Sequence, residues 1–410
     1  MFRGRRWRRG PLGALALVGL WITLGNTACS HGEPAQQIVL IVVDTLRRDH
    51  LSCYGSTTPT PHLDRLAENG QIFTNAIASF HQTTMSMGAL FTGRTPSLEA
   101  SRGALSWNGR SWCGLTRFAG PSEEQGCIPK SVRTLPEILR NAGYRTIGIV
   151  SNRLLFQPAG FERGFADWVE VGGRTTWQEI NAAALEAMER RDRDKVFLYV
   201  HYMDVHNHRF GGRSYASLVN SVDGGIGALL DALKQRGLRD DATIVFTSDH
   251  GERLGETHFT PGSPYHYGNP SFEEVLRIPL IVSPPRFAAT SEPVRSQDVF
   301  RLILELAGVR DSSPSELEPD ELILSEVHWR IYRRGRWKSL MPRLGKAHYL
   351  IDLIEDPGEQ RNVADEHPAI LAEHRQRTLT LVRDLAAANR PLSQLTAEDQ
   401  KRLRALGYLE

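Results

Sequence analysis

Short apolar segments that alternate with helix-like stretches constrain the fold more than any other feature of this chain. The first, residues 38–43, consists of six aliphatic residues in succession and ends at Asp44. An uninterrupted, β-branched run of this length is typical of a strand buried on both faces, as in parallel or mixed sheets covered by helices. Similar segments stand at 146–150, 196–200, 243–247 and 279–282. The alternation predicts an α/β fold with a central sheet.

Polar residues follow several of these segments at their carboxyl ends. They are Asp44, His201, Asp204, His206, Asp249 and His250. In open α/β sheets ligands bind at this edge, and carboxylates together with imidazoles suit a divalent cation. Asp249 and His250 are adjacent, and both can reach one ion because the chain bends where a strand ends. A single Asp or His in such a place is more often structural, so the convergence of several elements is what predicts a site.

The N-terminus has the pattern of an export signal. Five arginines before residue 10 precede an apolar run at 12–24 and the segment Thr27-Ala28-Cys29. The run is shorter than the roughly 20 apolar residues of a membrane span. The Thr-Ala-Cys segment resembles a lipoprotein box, in which Cys29 is lipidated and becomes the mature N-terminus; cleaved secretion and an uncleaved anchor are the alternatives. We expect an exported lipoprotein of the cell envelope, held by its lipid on the periplasmic or outer side of a bacterial membrane.

The sequence changes character after residue 310. Residues 321–354 contain alternating runs rich in Trp and Tyr, which predict a small antiparallel sheet, and helical patterns follow at 368–389 and 396–406. The expected organisation is a signal peptide with lipobox at 1–29, a tether at 30–36, a catalytic domain at 37–310 and a C-terminal subdomain at 311–410.

The charge balance argues against nucleic acid as a partner. The chain carries 49 Lys and Arg against 47 Asp and Glu, a formal net charge of +2. Removing residues 1–28 takes away five arginines and no acidic residue, which leaves −3. A mildly acidic body lacks the basic patch that nucleic acid requires.

Two cysteines flank a polar stretch that contains Gly and Pro. Cys113 and Cys127 enclose residues 114–126. In an oxidising compartment we expect a disulfide that closes this loop, and two free thiols are the alternative. Zinc binding by this pair is not expected, because the CxxC spacing of zinc sites is absent.

Several segments resemble bacterial sulfatase-family proteins of the alkaline phosphatase superfamily, and they occur in that family's order. The opening segment, 41–55, reads Ile-Val-Val-Asp-Thr-Leu-Arg-Arg-Asp-His-Leu-Ser-Cys-Tyr-Gly. The others lie at 60–67, 73–76, 90–93, 134–146, 201–206, 247–256, 273–282, 336–338, 352–359 and 405–409. The resemblance covers nearly the whole chain after the signal. It implies a large mixed sheet between helix layers and a small C-terminal antiparallel sheet.

The resemblance also implies one divalent metal, Ca²⁺, Mg²⁺, Mn²⁺ or Zn²⁺. Asp44, Asp249 and His250 stand where the family has metal ligands, together with the nucleophile. Thr45 replaces the second Asp of true sulfatases. The Asp-His pair, in place of Asp-Asn, is similar to the phosphoesterases and phosphotransferases of the superfamily.

The position of the nucleophile is occupied by Thr83. True sulfatases carry Cys or Ser there, matured to formylglycine in a Cys-x-Pro-Ser-Arg pattern. Oxidised threonine would be a ketone, so no formylglycine is expected. Relatives that use an unmodified Thr are nucleotide phosphodiesterases and the phosphoglycerol or phosphoethanolamine transferases. A threonine hydroxyl beside a metal can attack phosphorus and form a covalent phospho-enzyme, so Thr83 favours phosphate esters or diesters.

Other histidines and polar residues near these motifs are candidates for supporting roles. His206 matches a family histidine that contacts the substrate or leaving group, and it could donate or accept a proton near neutral pH. The remaining candidates, which could contact substrate or support the ligands, are Thr45, His201, Asp204, His258 and His266.

One departure from the family pattern weighs against catalysis. Met87 stands where the family has an arginine, which removes a positive charge that would hold an anionic oxygen. Three interpretations remain open: a hydrolase or transferase acting on sulfate or phosphate esters, for which Thr83 favours a phosphoester or phosphodiester; a sulfuric ester hydrolase without formylglycine; and an inactive sulfatase-like binding protein. For an enzyme, the expected substrate is a small-molecule, glycan or lipid ester.

Overall fold

A computed structural model gives the structure of the protein and divides it into two units, Met1–Glu33 and Pro34–Glu410. The structure describes residues 33–96, 128, 132–156, 159–172, 175–189, 195–210, 212–237, 240–260, 270–288, 290–310, 317–326, 328–345, 347–388 and 397. All elements below belong to the second unit. Within the described residues, no helix is both long enough and apolar enough to cross a membrane.

The elements alternate as the apolar pattern predicts. The strands are β1 (Gln37–Val43), β2 (Gln71–Ile72), β3 (Ala76–Ile77), β4 (Arg145–Val150), β5 (Asp167–Glu170), β6 (Val196–Tyr202), β7 (Thr243–Ser248), β8 (Leu280–Ser283), β9 (Val294–Arg295), β10 (Glu321–Ser325), β11 (Trp329–Arg334), β12 (Trp337–Pro342) and β13 (Tyr349–Asp352). The helices are α1 (Pro61–Glu68), α2 (Thr83–Thr92), α3 (Leu135–Asn141), α4 (Trp177–Glu189), α5 (Tyr215–Gln235), α6 (Glu273–Leu276), α7 (Ser296–Leu306) and α8 (Pro368–Ala388).

Seven of the described strands form the central sheet, in the order β2-β8-β7-β1-β6-β4-β5. The five strands from β7 to β5 are parallel, whereas β8 is antiparallel to β7 and β2 is antiparallel to β8. The sheet is therefore mixed, as expected. All five predicted apolar segments are central-sheet strands. The strands β2, β3, β5 and β9 are too short or too polar to show in the pattern.

Helices cover both faces of the central sheet. Successive residues of β1 point to opposite faces, so Ile38, Leu40 and Val42 pack with α2, α3 and α7, while Val39, Ile41 and Val43 pack with α1, α4 and α5. Every residue of β1 is buried. Burial on both faces explains why this strand has no polar alternation.

The predicted C-terminal antiparallel sheet is also present, in the order β10-β11-β12-β13. Helix α8 packs on one face, where Leu381 lies in a cluster with Ile323 and Tyr332. The other face, with Leu322 and Ile331, packs in a cluster with Ile77 of β3, Phe80, and Met85 of α2. The α/β fold with a small C-terminal antiparallel sheet is thus confirmed.

Candidate metal and nucleophile site

Three buried ligand residues lie together at the carboxyl edge of the central sheet. Asp44 follows β1 directly, and Asp249 and His250 follow β7. Strands β1 and β7 are parallel neighbours in which Val43 pairs with Ser248, so the residues after them are adjacent in space. One ligand atom from each of the three residues lies within 4.8 Å of the others. The parallel pairing of β1 and β7 thus brings together the three residues that were predicted as metal ligands.

Each ligand residue uses one polar atom for support and directs another into the site. Asp44 Oδ2 accepts hydrogen bonds, while its Oδ1 is buried and has no partner among the described residues. Asp249 Oδ1 accepts from the amides of Thr45 (2.9 Å) and His250 (2.8 Å), whereas Asp249 Oδ2 is buried, lies 3.5 Å from His250 Nε2 and has no hydrogen-bond partner among the described residues. His250 Nδ1 donates to the Gly251 carbonyl at 2.7 Å, so the neutral ring presents its lone pair at Nε2.

These atoms fit a divalent cation. Two buried carboxylate oxygens with no described hydrogen-bond partner would lose hydration without compensation, and His250 Nε2 lies 3.5 Å from one of them, Asp249 Oδ2. Oxygen and nitrogen donors of this kind are ligands for the divalent ions considered above. The geometry therefore favours Asp44 Oδ1, Asp249 Oδ2 and His250 Nε2 as the ligand atoms.

The two carboxylates have opposite pKa shifts. Burial disfavours the charge on Asp44, but a hydrogen bond from His201 and the charges of nearby histidines outweigh burial and hold the Asp44 pKa well below its usual range. Burial and the Asp44 charge raise the pKa of Asp249. Burial lowers the pKa of His250, but the two carboxylates outweigh it and raise that pKa. A bound cation would relieve the repulsion between the carboxylates.

Thr45 shapes the site through its backbone. It has a φ of 58°, a left-handed conformation that is strained for a β-branched residue. Its amide donates to Asp249, its hydroxyl donates to the Asp44 carbonyl at 2.7 Å, and its own carbonyl accepts from the Tyr215 hydroxyl at 2.6 Å. The hydroxyl of Thr45 is therefore engaged with the backbone, and the strained turn serves to aim the Asp249 carboxylate.

Thr83 is the first residue of α2 and lies against the ligand group. Its side chain is buried, and its Oγ1 donates to Asp44 Oδ2 at 3.3 Å. The first turn of a helix has backbone N–H groups without helical acceptors and a positive dipole end, which stabilises negative charge there. Ser86, one turn further along, donates to the Asp249 carbonyl at 2.5 Å and ties α2 to the ligand loop.

Comparison with known proteins identifies the family. The model of the family described as Sulfatase matches residues 36–309, two thirds of the chain. This protein belongs to the sulfatase family. Among curated relatives, an N-acetylgalactosamine-6-O-sulfatase of Bacteroides thetaiotaomicron is 24% identical, over 84% of this chain and 93% of the relative. An N-acetylgalactosamine-6-sulfatase of Rattus norvegicus is 27% identical, over 78% of this chain and 70% of the relative.

Solved structures show the same sulfatase-family fold. A putative sulfatase from Bacteroides thetaiotaomicron superposes with a TM-score of 0.68 at 16% identity, over 86% of this chain and 93% of that one. The phosphonate monoester hydrolase of Agrobacterium radiobacter superposes with a TM-score of 0.60 at 16% identity, over 85% of this chain and 96% of that one. The fold is thus similar to that of proteins named for sulfate and for phosphonate chemistry.

Two of the predicted histidines approach the ligand group of this sulfatase-family site. His201 Nε2 lies 3.3 Å from Asp44 Oδ2, and its Nδ1 lies 2.6 Å from the Tyr199 hydroxyl. The charge of His206 lowers the Asp44 pKa, so His206 lies near that carboxylate. His206 Nδ1 is buried without a described partner, and its ring lies 6.3 Å from that of Phe210.

Other candidates have contacts with residues outside the ligand group, or lie outside the described residues. Asp204 Oδ1 accepts from the Trp177 amide at 3.0 Å and so supports the start of α4. His258 Nε2 lies 2.8 Å from Glu274 Oε1, and its ring stacks on Phe272 at 3.6 Å. The proposed lipidation and disulfide cysteines, Cys29, Cys113 and Cys127, and the histidine His266 lie outside the described residues.

The structure adds residues that sequence reasoning missed. Asn152 and Tyr199 contact the ligands or their supports. Asn152 follows β4, so the rule that polar residues gather at strand ends could have found it. Met87, which stands at the family's arginine position, is fully buried in the apolar cluster on one face of the sheet. It therefore offers no charge to the sulfatase-family site.

Proposed function

We propose that this protein is an exported, metal-dependent hydrolase of singly charged oxyesters, with phosphodiesters as the first choice and Thr83 as the nucleophile. The observation that carries the proposal is the contact of Thr83 Oγ1 with Asp44 at the positive end of α2, beside the ligand group. An unmodified hydroxyl at this place suits direct attack on phosphorus.

The reaction follows from the chemistry of these side chains. Thr83 Oγ1 gives its proton to water and attacks phosphorus, which forms a new P–O bond while the bond to the leaving oxygen breaks. The electron pair stays on the leaving oxygen, which takes a proton from His206. Water then attacks the phosphorus bound to Thr83, with neutral His206 accepting the proton of the water, and Thr83 Oγ1 leaves and takes back a proton from water. An acceptor alcohol in place of water would make the protein a transferase.

A divalent cation would be held by Asp44, Asp249, His250 and Thr83. When bound, it would supply a charge that favours ionisation of a neighbouring hydroxyl and neutralises oxygens of the ester. His201 and the backbone of Thr45 would keep the two carboxylates aimed.

The charge around the site favours an ester with one negative charge. Besides burial, the groups with the largest influence on the Asp44 pKa are three histidines, and no arginine or lysine is among them. The negative charges of Asp44 and Asp249 would already neutralise the two positive charges of a divalent cation. Met87, at the family's arginine position, adds no positive charge. A phosphomonoester dianion would be poorly neutralised here. Phosphodiesters and sulfate monoesters each carry one charge.

Sulfate esters of glycans are the second candidate, because the curated relatives are named as sulfatases of N-acetylgalactosamine. In that case Thr83 would form a sulfate ester that water must cleave at sulfur, since threonine lacks the geminal diol through which hydrated formylglycine expels sulfate. An inactive binding protein is the remaining alternative.

The test is hydrolysis of bis-p-nitrophenyl phosphate, p-nitrophenyl phosphate and p-nitrophenyl sulfate by the purified protein with Mg²⁺, Mn²⁺, Ca²⁺ or Zn²⁺. We expect the diester to be the best substrate and Thr83→Ala to lower kcat by at least about 10³-fold. Thr83→Ser, the matched control that keeps the hydroxyl, should retain part of kcat.

Protein acid-quenched during diester turnover should carry a p-nitrophenyl phosphoryl group on Thr83 by mass spectrometry. Diester turnover that survives Thr83→Ala would contradict the nucleophile. A marked preference for the sulfate would favour the second candidate, and bound metal without turnover on any ester would favour a binding protein.

A further inference from the structure

Asn152 contacts both the proposed nucleophile and a proposed metal ligand. It stands two residues after β4 and is buried. Its Nδ2 lies 2.6 Å from Asp44 Oδ2 and 3.3 Å from Thr83 Oγ1. It therefore joins two groups that belong to separate elements, the end of β1 and the start of α2.

The orientation of the Asn152 amide is determined by a third contact. Its Oδ1 accepts a hydrogen bond from the Leu154 amide at 2.9 Å, as the cap of a short 3₁₀ helix, Arg153–Leu155. A backbone N–H can only donate, so the side-chain oxygen must face Leu154. The NH₂ group must then face Asp44 and Thr83, and it has one hydrogen for each.

These two donors have separate consequences. The N–H that points to Asp44 holds its Oδ2, which also lies 3.3 Å from His201 Nε2. The other oxygen, Oδ1, is then left to point into the ligand group. The donor to Thr83 occupies a lone pair of Oγ1, while the Thr83 hydrogen points at Asp44 Oδ2. The second contact restricts rotation of the hydroxyl and would stabilise negative charge on Oγ1.

We infer that Asn152 is a positioning residue that holds Asp44 for the metal and aims Thr83 at the ester. A neutral amide suits this role, because it supplies two donors without changing the charge of the site. The half that concerns Thr83 rests on the proposed function. The half that concerns Asp44 is independent of it, since metal binding is measured without substrate.

Two variants separate positioning from helix capping. Asn152→Ala removes both donors and the cap. Asn152→Asp keeps an oxygen for Leu154 but replaces both donors with an acceptor that faces a carboxylate. If Asn152 only caps the 3₁₀ helix, Asn152→Asp should behave as the wild type. Thr134→Ala is the matched control: it removes the cap of α3, which precedes β4 at the strand's other end.

The first measurement is calorimetric titration of Mn²⁺ into metal-stripped protein, with no ester present. We expect Asn152→Ala to weaken Mn²⁺ binding by about tenfold, the effect of losing a group that orients a ligand. The second is steady-state hydrolysis of the diester at saturating Mn²⁺. We expect both Asn152 variants to lower kcat by about 10²-fold with KM changed less than threefold, and Thr134→Ala to change neither quantity.

The inference is overturned if Asn152→Ala binds Mn²⁺ as tightly as the wild type, or if Asn152→Asp keeps the wild-type kcat while Thr83→Ala is inactive. If Thr83→Ala remains active, the proposed nucleophile fails, and the Mn²⁺ titration still decides the role of Asn152 toward Asp44.

Discussion

Asp44 and Asp204 are the same residue type near the ends of neighbouring strands, yet their surroundings give them opposite protonation behaviour. Histidines around Asp44 favour its charged form. Burial dominates at Asp204, where the hydrogen bond from Trp177 compensates only in part and the pKa rises to about 6. Asp204 Oδ2 is buried without a described partner. The charge on Asp204 is therefore a cost to the fold at neutral pH.

Asp204→Asn should make the protein more stable at pH 7. The Asp204 pKa is about 6 when folded and about 3.9 when unfolded. The folded state thus binds the proton more tightly, and wild-type stability falls as pH rises from about 4 to about 6. The Asn side chain keeps an oxygen for Trp177. The measurement is the free energy of unfolding in urea, taken as the variant minus the wild type at each pH. We expect this difference to be larger at pH 7 than at pH 4 by on the order of 2 kcal/mol. A difference that stays constant from pH 4 to pH 7 would contradict the assignment.

At the scale of elements, a buried ion cluster joins the C-terminal sheet to α6. Lys338 of β12 is fully buried, and its Nζ lies 2.8 Å from Glu359 Oε1 and 3.3 Å from Glu273 Oε1. Arg333 of β11 adds a 3.0 Å contact to Glu273. The carbonyl of Val275, in α6, accepts from the Gly251 amide next to His250. The small sheet thus supports the loop that carries metal ligands.

Lys338→Met should destabilise the protein strongly, because it removes the cation that contacts the buried Glu359 carboxylate, while Glu273 keeps its contact with Arg333. We expect a loss of about 3–5 kcal/mol in the free energy of unfolding. Adding Glu359→Gln should recover a large part of the lost stability, since it removes the carboxylate that lost its cation. Lys234→Met on the exposed surface of α5 is the control and should change stability by less than about 0.5 kcal/mol. A Lys338→Met protein as stable as the control would show that the cluster contributes nothing.

At the scale of the whole molecule, the site joins the two central strands to α2 at one edge of the sheet. Asp44 and Asp249 extend β1 and β7, and Ser86 and Thr83 bond to these residues from α2. Burial and the Asp44 charge raise the Asp249 pKa, so without a cation this edge carries repulsion. Metal binding should therefore act on global stability as well as on chemistry.

Metal removal should lower the melting temperature of the wild type by more than that of Asp249→Asn, so that the order of the two proteins depends on the metal. At a free Mn²⁺ concentration 100 times Kd, linkage adds about 2.7 kcal/mol to wild-type stability. In EDTA we expect Asp249→Asn to melt above the wild type, because one buried charge is gone. With Mn²⁺ the order should reverse. Calorimetric scans in both conditions check this, and an equal gain for both proteins would place the metal elsewhere.

Strands that are buried on both faces can be predicted from the sequence, whereas very short strands that depend on distant partners cannot. The apolar strands β1, β4, β6 and β7 were predictable, because burial on both faces demands continuous aliphatic residues. Strands such as β2 and β9 are two residues long and exist through their pairing with distant partners, β8 and β3. No local pattern encodes such pairing.

The same distinction applies to the site. Sequence alone determined that the fold is α/β and that Asp44, Asp249 and His250 meet, since they follow buried parallel strands. Only the tertiary structure decided which atom of each ligand points inward, that Asn152 joins Thr83 to Asp44, and that Asp204 supports α4 instead. The pattern of buried residues is local, so it can be recognised in a short stretch of sequence. The hydrogen-bond partners at this site are residues more than a hundred positions apart, such as Asp44 and Asn152, so only the folded chain shows them.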